Sequence, residues 1–156
     1  MSLGEIVLGS APSQDQLRWA GAILVTQAGT VLVQQRDQRA HINPGKIGLF
    51  GGQCLHGERY IDCMRRELLE ELELQAERYS IRVLGSFVKA TPSAGKSAVS
   101  YVFVVEGVPK GELVLHEGDE ILELTPQEVI QHPLATETTR EALAQYLAKL
   151  TKPNIS

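Results

Sequence analysis

Four glutamates stand at chemically suggestive offsets in one charged stretch, GGQCLHGERYIDCMRRELLEELEL, which covers residues 51–74. On a helix that turns about 100° per residue, Glu71 lies about 40° to one side of Glu67 and Glu70 about 60° to the other, so three carboxylates share a face. Like charges at this spacing repel each other unless something neutralises them. Because Mg²⁺ prefers hard oxygen ligands, the pattern indicates a metal-binding helix. A solvated acidic face, balanced by the neighbouring arginines, is the alternative interpretation.

An apolar stripe runs along the same segment beside the carboxylates. Its members are Ile61, Met64, Leu68 and Leu72, at helical spacing. Such a stripe docks a helix on a hydrophobic core. The sequence therefore predicts a helix that is held rigidly by one face and presents glutamates along its border.

The order of the charged and glycine residues resembles the Nudix box, G-x5-E-x7-R-E-U-x-E-E-x-G-U, in which U is a bulky aliphatic residue. The matching residues are Gly52, Glu58, Arg66, Glu67, Leu68, Glu70, Glu71 and Leu74, eight of the nine specified positions. With ordinary residue frequencies, a chance match this good at a given start is on the order of one in ten million.

Two positions depart from the family pattern. Glu73 replaces a glycine that normally closes the last helical turn in the left-handed conformation, where a glutamate costs about 1 kcal/mol. We therefore expect the helix to run on or to end differently. Leu55 stands where many relatives carry another glutamate, which removes an acid from the entry loop and leaves the number of metal ions and the substrate preference open.

The resemblance implies roles for the residues of the box. Glu70 and Glu71 would bind Mg²⁺, for which Mn²⁺ could substitute, and the Gly51 carbonyl would be a further ligand. Glu67 would be either a ligand or the base that deprotonates water. Arg66 would belong to the catalytic group by orienting the glutamates. In addition, Gly52 would contact substrate, and Glu58 would support the junction between loop and helix.

Two residues outside the box complete the expected site. In the family, an arginine at the end of a strand often contacts substrate phosphate, and Arg36 occupies that place; an exposed arginine is an equal alternative. Glu120 precedes the predicted strand 121–124, where several relatives place a metal-binding or basic glutamate. We expect Glu120 to act in catalysis and metal binding, with Glu117 as the second choice and Asp119 as the third acid in this turn. An acidic surface turn is the alternative.

The implied reaction is hydrolysis of the pyrophosphate bond in a nucleoside diphosphate linked to a group X. The favoured substrate is a nucleoside triphosphate, including oxidised or noncanonical ones, with a nucleotide sugar second. A Nudix-fold module that binds nucleotides without cleaving them is the rival hypothesis, although such modules commonly lose box carboxylates and this chain keeps them. An acidic α/β protein without metal is the third.

Composition narrows the choice of partners and location. Of 156 residues, 43% are hydrophobic and 22% charged, and the net charge of −4 argues against non-specific binding to nucleic acid or to an anionic membrane. No secretory or membrane-spanning segment is recognisable, so the cytoplasm is the expected location. Cys54 and Cys63 are interpreted as reduced thiols, with Cys63 a packing residue. A homodimer is compatible with the sequence.

The remaining segments predict a mixed β-sheet between helical layers. We expect a lead-in over 1–17, one domain over 18–150 and a tail over 151–156. Predicted strands cover 19–26, 30–35, 47–50, 80–91, 98–107 and 121–124, the first two joined as a hairpin. A short helix capped at Thr125 and a closing helix over 136–150, with Leu143, Leu147 and Leu150 buried, complete the chain. The resemblance implies a Nudix α/β/α sandwich.

Overall fold

A computed structural model describes residues 16–40, 44–91, 96–116 and 120–151. Most of the expected lead-in, up to residue 15, and the acids Glu117 and Asp119 lie outside these residues. The described strands are β1 (Gln16–Val25), β2 (Val31–Gln35), β3 (Ile47–Gly48), β4 (Phe50–Gln53), β5 (Ser80–Thr91), β6 (Lys96–Glu106) and β7 (Glu120–Leu124). The α-helices are α1 (Tyr60–Leu72), α2 (Pro126–Gln131) and α3 (Glu137–Thr151).

The strands form one mixed sheet with β1 at its centre. β1 lies parallel to β6, and β5 pairs antiparallel with the other edge of β6. The predicted hairpin is confirmed, since β1 and β2 pair antiparallel with Leu24 opposite Leu32. β7 extends the sheet on the far edge of β2.

The sheet contains a fork that the sequence did not predict. β1 and β2 pair over only two positions next to their hairpin and then separate. The chain from β3 to β4 fills the gap, because β3 pairs with β2 and β4 pairs with β1. The buried side chain of Gln34 donates to the Leu49 carbonyl at 3.1 Å, where the chain crosses from one strand to the other. The predicted strand 47–50 is therefore wrong in its bounds: it breaks at Leu49, and Gly51 and Gly52 lie inside β4.

Helices cover both faces of the sheet, which confirms the α/β/α sandwich. On one face, α1 buries Met64, Leu68 and Leu72 completely, as the apolar stripe predicts. On the other face, α2 and α3 pack on a second core that includes Leu143. Leu150 is 54% exposed, so the predicted stripe of α3 ends before it.

The last two helices begin and end close to the predicted positions. Thr125 caps α2 with a capping box: its hydroxyl accepts from the Glu128 N–H at 3.1 Å, and the Glu128 carboxylate accepts from the Thr125 N–H at 2.8 Å. None of the helices within the four described ranges has the length and hydrophobicity needed to span a membrane.

Helix α1 ends as a glycine would end it, so the expectation of a changed helix end is wrong. Glu73 adopts the left-handed conformation with φ 54° and ψ 31°. The segment that follows β6 explains why this conformation is tolerated, because Val114 and His116 donate their N–H groups to the carbonyls of Leu72 and Glu71 at 3.1 and 2.7 Å. A hydrogen bond of 2.8 Å also joins His116 Nε2 to the Glu73 carboxylate. Tertiary docking thus outweighs the local cost.

We predict that the Glu73→Gly variant is more stable than the Glu73→Ala variant by about 0.5–1 kcal/mol. Both variants lose the contact with His116, but only the alanine variant keeps the strain of the left-handed conformation. The free energy of this strain exceeds the additional entropy that glycine loses on folding, because glycine is more flexible in the unfolded chain. Urea unfolding of the two variants measures the difference. Equal stability, or a more stable alanine variant, would contradict the assignment of strain to Glu73.

Candidate active site

The site lies where α1 crosses the glycine strand β4. Glu71 projects from the helix into this contact and is only 2% exposed. Its Oε2 accepts a hydrogen bond of 3.3 Å from the N–H of Gly51. A buried carboxylate requires compensation of this kind, because transfer of a charge out of water is costly.

Both glycines of β4 are required by close approach, but to different neighbours. Gly51 has φ 153°, and a Cβ there would overlap the Ala20 carbonyl and lie 2.5 Å from the Gly21 Cα. A Cβ on Gly52 would instead overlap the carboxylate of Glu67, with Oε2 at 2.5 Å. The absence of a side chain at Gly52 therefore creates the space that the Glu67 carboxylate occupies.

Arg66 connects the loop before α1 with the glutamates of the helix. Its guanidinium makes a bidentate contact with the Glu58 carboxylate, in which Nε donates to Oε2 at 2.8 Å and Nη2 donates to Oε1 at 3.1 Å. Nη1 donates to Glu67 at 2.9 Å and to Glu70 at 3.2 Å, and Nη2 also donates to the Gln53 carbonyl at 3.1 Å. The hydrogen bond from Arg66 lowers the pKa of Glu58, and in return the pKa of Arg66 is raised. One side chain thus sets the orientation of three carboxylates.

Arg18 anchors this arrangement from β1 and was missed from the sequence. It is 5% exposed, its Nη2 donates to the Glu58 carbonyl at 2.6 Å, and its guanidinium lies 4.3 Å from the ring centre of Tyr60. The Glu58 side chain also accepts from the Leu55 N–H at 3.0 Å. The signal in the sequence was an arginine at the start of an otherwise apolar strand.

The three helix carboxylates differ in their surroundings although they share a turn. Glu71 is buried, the Glu67 side chain is 14% exposed, and that of Glu70 is 60% exposed. Burial raises the pKa of Glu67, against the charge and hydrogen bond of Arg66, and Glu70 raises it further. A hydrogen bond with the Glu71 carboxyl acts in the opposite direction. Two carboxyl groups in contact need a shared proton or a cation between them.

The set of donors fits a hard divalent cation. Three carboxylates from one helix and the backbone of β4 supply only oxygen ligands, which Mg²⁺ and Mn²⁺ prefer. The Glu67 and Glu71 carboxyl groups, which lie beside the two glycines of β4, provide a place for such an ion. The structure therefore brings together Gly51, Gly52, Glu58, Arg66, Glu67, Glu70 and Glu71.

Arg36 and Glu120 lie together elsewhere in the sheet. Arg36 directly follows β2, whose last residue, Gln35, pairs with Glu120. Glu120 is the first residue of β7 and is exposed, whereas the sequence placed it before the strand.

The strand position of Glu120 directs it away from α1. Ile121 packs with the core under α1, and Leu122 packs with the core on the opposite face. Because side chains alternate along a strand, Glu120 shares the face of Leu122. Its side chain must turn around the end of β7 to reach the carboxylates, and its role stays a prediction.

Comparison with known proteins agrees with the geometry. The model of the NUDIX domain family matches residues 16–146, so the chain belongs to this family. Its members act on nucleoside diphosphate-linked substrates, and the chain is an enzyme of the Nudix pyrophosphohydrolase class. A search of curated proteins finds no match.

Solved structures with low sequence identity share the fold. The MutT protein from Methanosarcina mazei is 17% identical, with a TM-score of 0.76 over 90% of this chain and 99% of that one. The E. coli dihydroneopterin triphosphate pyrophosphohydrolase is 17% identical, with a TM-score of 0.67 over 85% and 95%. A C. elegans Ap4A hydrolase is 19% identical, with a TM-score of 0.69 over 86% and 97%.

We predict that alanine at Gly51 mainly lowers the stability of the fold, whereas alanine at Gly52 mainly weakens metal binding. Gly51→Ala should destabilise the fold by about 3 kcal/mol or more, because its Cβ meets backbone atoms at a φ that disfavours side chains. Gly52→Ala should lose no more than about 1 kcal/mol, because the Glu67 carboxylate can move aside, but Mn²⁺ affinity should fall at least about tenfold. Urea unfolding and calorimetric Mn²⁺ titration measure the two effects. A Gly52→Ala protein with unchanged Mn²⁺ affinity would show that Glu67 does not take part in metal binding.

Proposed function

We propose that this protein is a Mg²⁺-dependent hydrolase that cleaves the pyrophosphate bond of a nucleoside triphosphate. The products would be a nucleoside monophosphate and the phosphorylated remainder. The observation that carries the proposal is the placement of Glu67 and Glu71 against the two glycines of β4, with Arg66 hydrogen-bonded to Glu67 and to the neighbouring Glu70.

Glu70, Glu71, Glu67 and the Gly51 carbonyl would hold Mg²⁺, with Mn²⁺ as a substitute. When bound, the ion supplies charge neutralisation for phosphate oxygens and lowers the pKa of an attacking water. The all-oxygen donor set supports this choice. So does the contact between the carboxyl groups of Glu67 and Glu71, which otherwise needs a shared proton.

The chain's own residues would position the reactants. Arg66 fixes the Glu67 carboxylate beside Gly52, where it can serve as a ligand or as the base that takes the proton from water. Glu70 has the most exposed side chain of the three helix glutamates and so stands nearest to solvent, from which substrate must come. Gly52 offers a backbone that phosphate can approach without steric hindrance, and Arg36 offers a guanidinium for substrate phosphate.

The finer part of the proposal is the identity of X, the group that is linked to the nucleoside diphosphate in the substrate. Two of the structural relatives carry names that specify a triphosphate or an Ap4A substrate, which supports a small polyphosphorylated nucleotide. A panel of ordinary, oxidised and noncanonical nucleoside triphosphates together with nucleotide sugars, followed by product identification, tests it. Exclusive cleavage of nucleotide sugars would overturn the triphosphate assignment while leaving the reaction class intact.

We predict that Glu70→Gln and Glu71→Gln each lower turnover at saturating Mg²⁺ by at least ~10³. Losses of this size are expected when a main source of electrostatic stabilisation of the transition state is removed. The fold should persist, because each change removes one negative charge from a crowded cluster of carboxylates. Steady-state rates with the best substrate of the panel measure the loss. A variant that keeps more than about a tenth of the wild-type rate would show that its glutamate is not a ligand.

A second prediction concerns the remote acid. Glu120→Gln should lower the rate at least about 10²-fold and raise the Mg²⁺ concentration for half-maximal activity, because a catalytic carboxylate contributes on this scale. Glu123→Gln on the same strand is the matched control, since Glu123 lies on the other face and accepts a hydrogen bond from Thr30 at 2.6 Å. Unchanged rate and Mg²⁺ dependence in Glu120→Gln would move the role to Glu117 or Asp119, whose amide variants then decide.

A further inference from the structure

The two cysteines of the chain meet beside the carboxylate site. Cys54 directly follows β4, and Cys63 lies in the first turns of α1. Their Sγ atoms and a carboxylate oxygen of Glu58 all lie within 4.8 Å of one another. Both are free thiols and Cys63 is buried, as the sequence predicts, but the sequence did not predict that they lie side by side. The end of β4 packs against the start of the helix and brings them together.

The environments of the two thiols are unequal. Cys54 is half-buried, whereas Cys63 is completely buried and its Sγ lies 3.5 Å from the Gly52 carbonyl. A hydrogen bond from Cys63 lowers the pKa of Cys54, and the charges of Arg18 and Arg66 act in the same direction, against burial and Glu58. The pKa of Cys63 is raised, first by its hydrogen bond with Cys54 and then by burial.

Such a pair has the features of an attacking and a resolving thiol. Oxidation-sensitive cysteines are accessible, form thiolate readily and often have a second cysteine within reach. Cys54 meets the first two conditions and Cys63 the third. The segment between Cys54 and α1 is irregular, so rotation of the Cys54 side chain and a small shift of this segment can close the gap to bonding distance.

We propose that Cys54 and Cys63 form an oxidation site that reacts with hydroperoxides and closes to an intramolecular disulfide. In the first step, the Cys54 thiolate attacks one peroxide oxygen, the O–O bond breaks, and an alcohol or water leaves after taking a proton. The sulfur is oxidised to sulfenic acid and the peroxide is reduced. In the second step, the Cys63 sulfur loses its proton and attacks the Cys54 sulfur; the S–S bond forms, the S–O bond breaks, and water leaves.

The disulfide would tie the end of β4 to the first turns of α1. The chemistry at this site does not depend on the proposed hydrolytic function, because it uses neither the helix glutamates nor a nucleotide. A Glu70→Gln protein that has lost hydrolytic activity should therefore still form the disulfide. This keeps failure of the thiol proposal distinguishable from failure of the hydrolase proposal.

Mass spectrometry after treatment with hydrogen peroxide tests the proposal. Trypsin separates the two thiols into peptides 47–59 and 60–65, which a disulfide would hold together under non-reducing conditions. The intact protein should lose two hydrogens and give this linked pair. Cys63→Ser should stop at a Cys54 sulfenic acid that a cyclic 1,3-diketone captures, and Cys54→Ser should remain unmodified. Before oxidation, a maleimide should label Cys54 at least about tenfold faster than Cys63.

Three results would overturn it. One is the absence of both the linked peptides and the diketone adduct; another is a disulfide between two chains. The third is stoichiometric zinc on the purified protein that is lost in either serine variant, which would make the thiols and Glu58 a metal site. If Cys63→Ser fails to fold, Cys63→Ala provides the same comparison, because alanine fills the buried position without a polar atom.

Discussion

The Glu71 carboxylate lies buried between α1 and the strand that crosses beneath it, and a negative charge in that position must be compensated. The N–H of Gly51 supplies one partner, and the neighbouring Glu67 carboxyl is in contact. Much of the architecture around this point serves the same need. The fork between β1 and β2 admits β4 to the sheet interior, and Gly52 leaves room there for the Glu67 carboxylate of the helix. The proposed cation site lies among these carboxylates.

Rigidity in the site comes from a relay of arginines and glutamates that spans three elements. Arg18 on β1 holds the backbone at Glu58, the Glu58 side chain holds Arg66, and Arg66 holds Glu67 and Glu70. Each of these arginine contacts is a charge-assisted hydrogen bond. Most of the groups involved are partly or wholly buried, where salt screens the interaction less. Carboxylates fixed in this way need little rearrangement before they bind a metal ion, which is what catalysis by electrostatic preorganisation requires.

Local patterns predicted the parts of the structure that local physics decides. The apolar stripe of α1, the capping box at Thr125 and the β1–β2 hairpin all follow from side-chain periodicity or turn chemistry. The fork did not, because strand partners are chosen by tertiary packing. The left-handed Glu73 was also missed, since docking of residues 113–116 on the helix end overrides its local cost. Arg18 and the contact between Cys54 and Cys63 depend on that same packing. The substrate and the cytoplasmic location stay predictions.

A divalent cation is proposed to complete the cluster of carboxylates around Glu71. The most direct test is the thermal unfolding midpoint of wild type and Glu71→Gln, measured against Mg²⁺ concentration at constant ionic strength. Since a ligand that binds the folded state stabilises it by about 2.7 kcal/mol at one hundred times its Kd, the wild-type midpoint should rise steadily. The Glu71→Gln midpoint should start higher, because a buried charge has been removed, and should respond little. A wild-type midpoint that does not change with Mg²⁺ concentration, or an equal rise in both proteins, would contradict the proposed cation site.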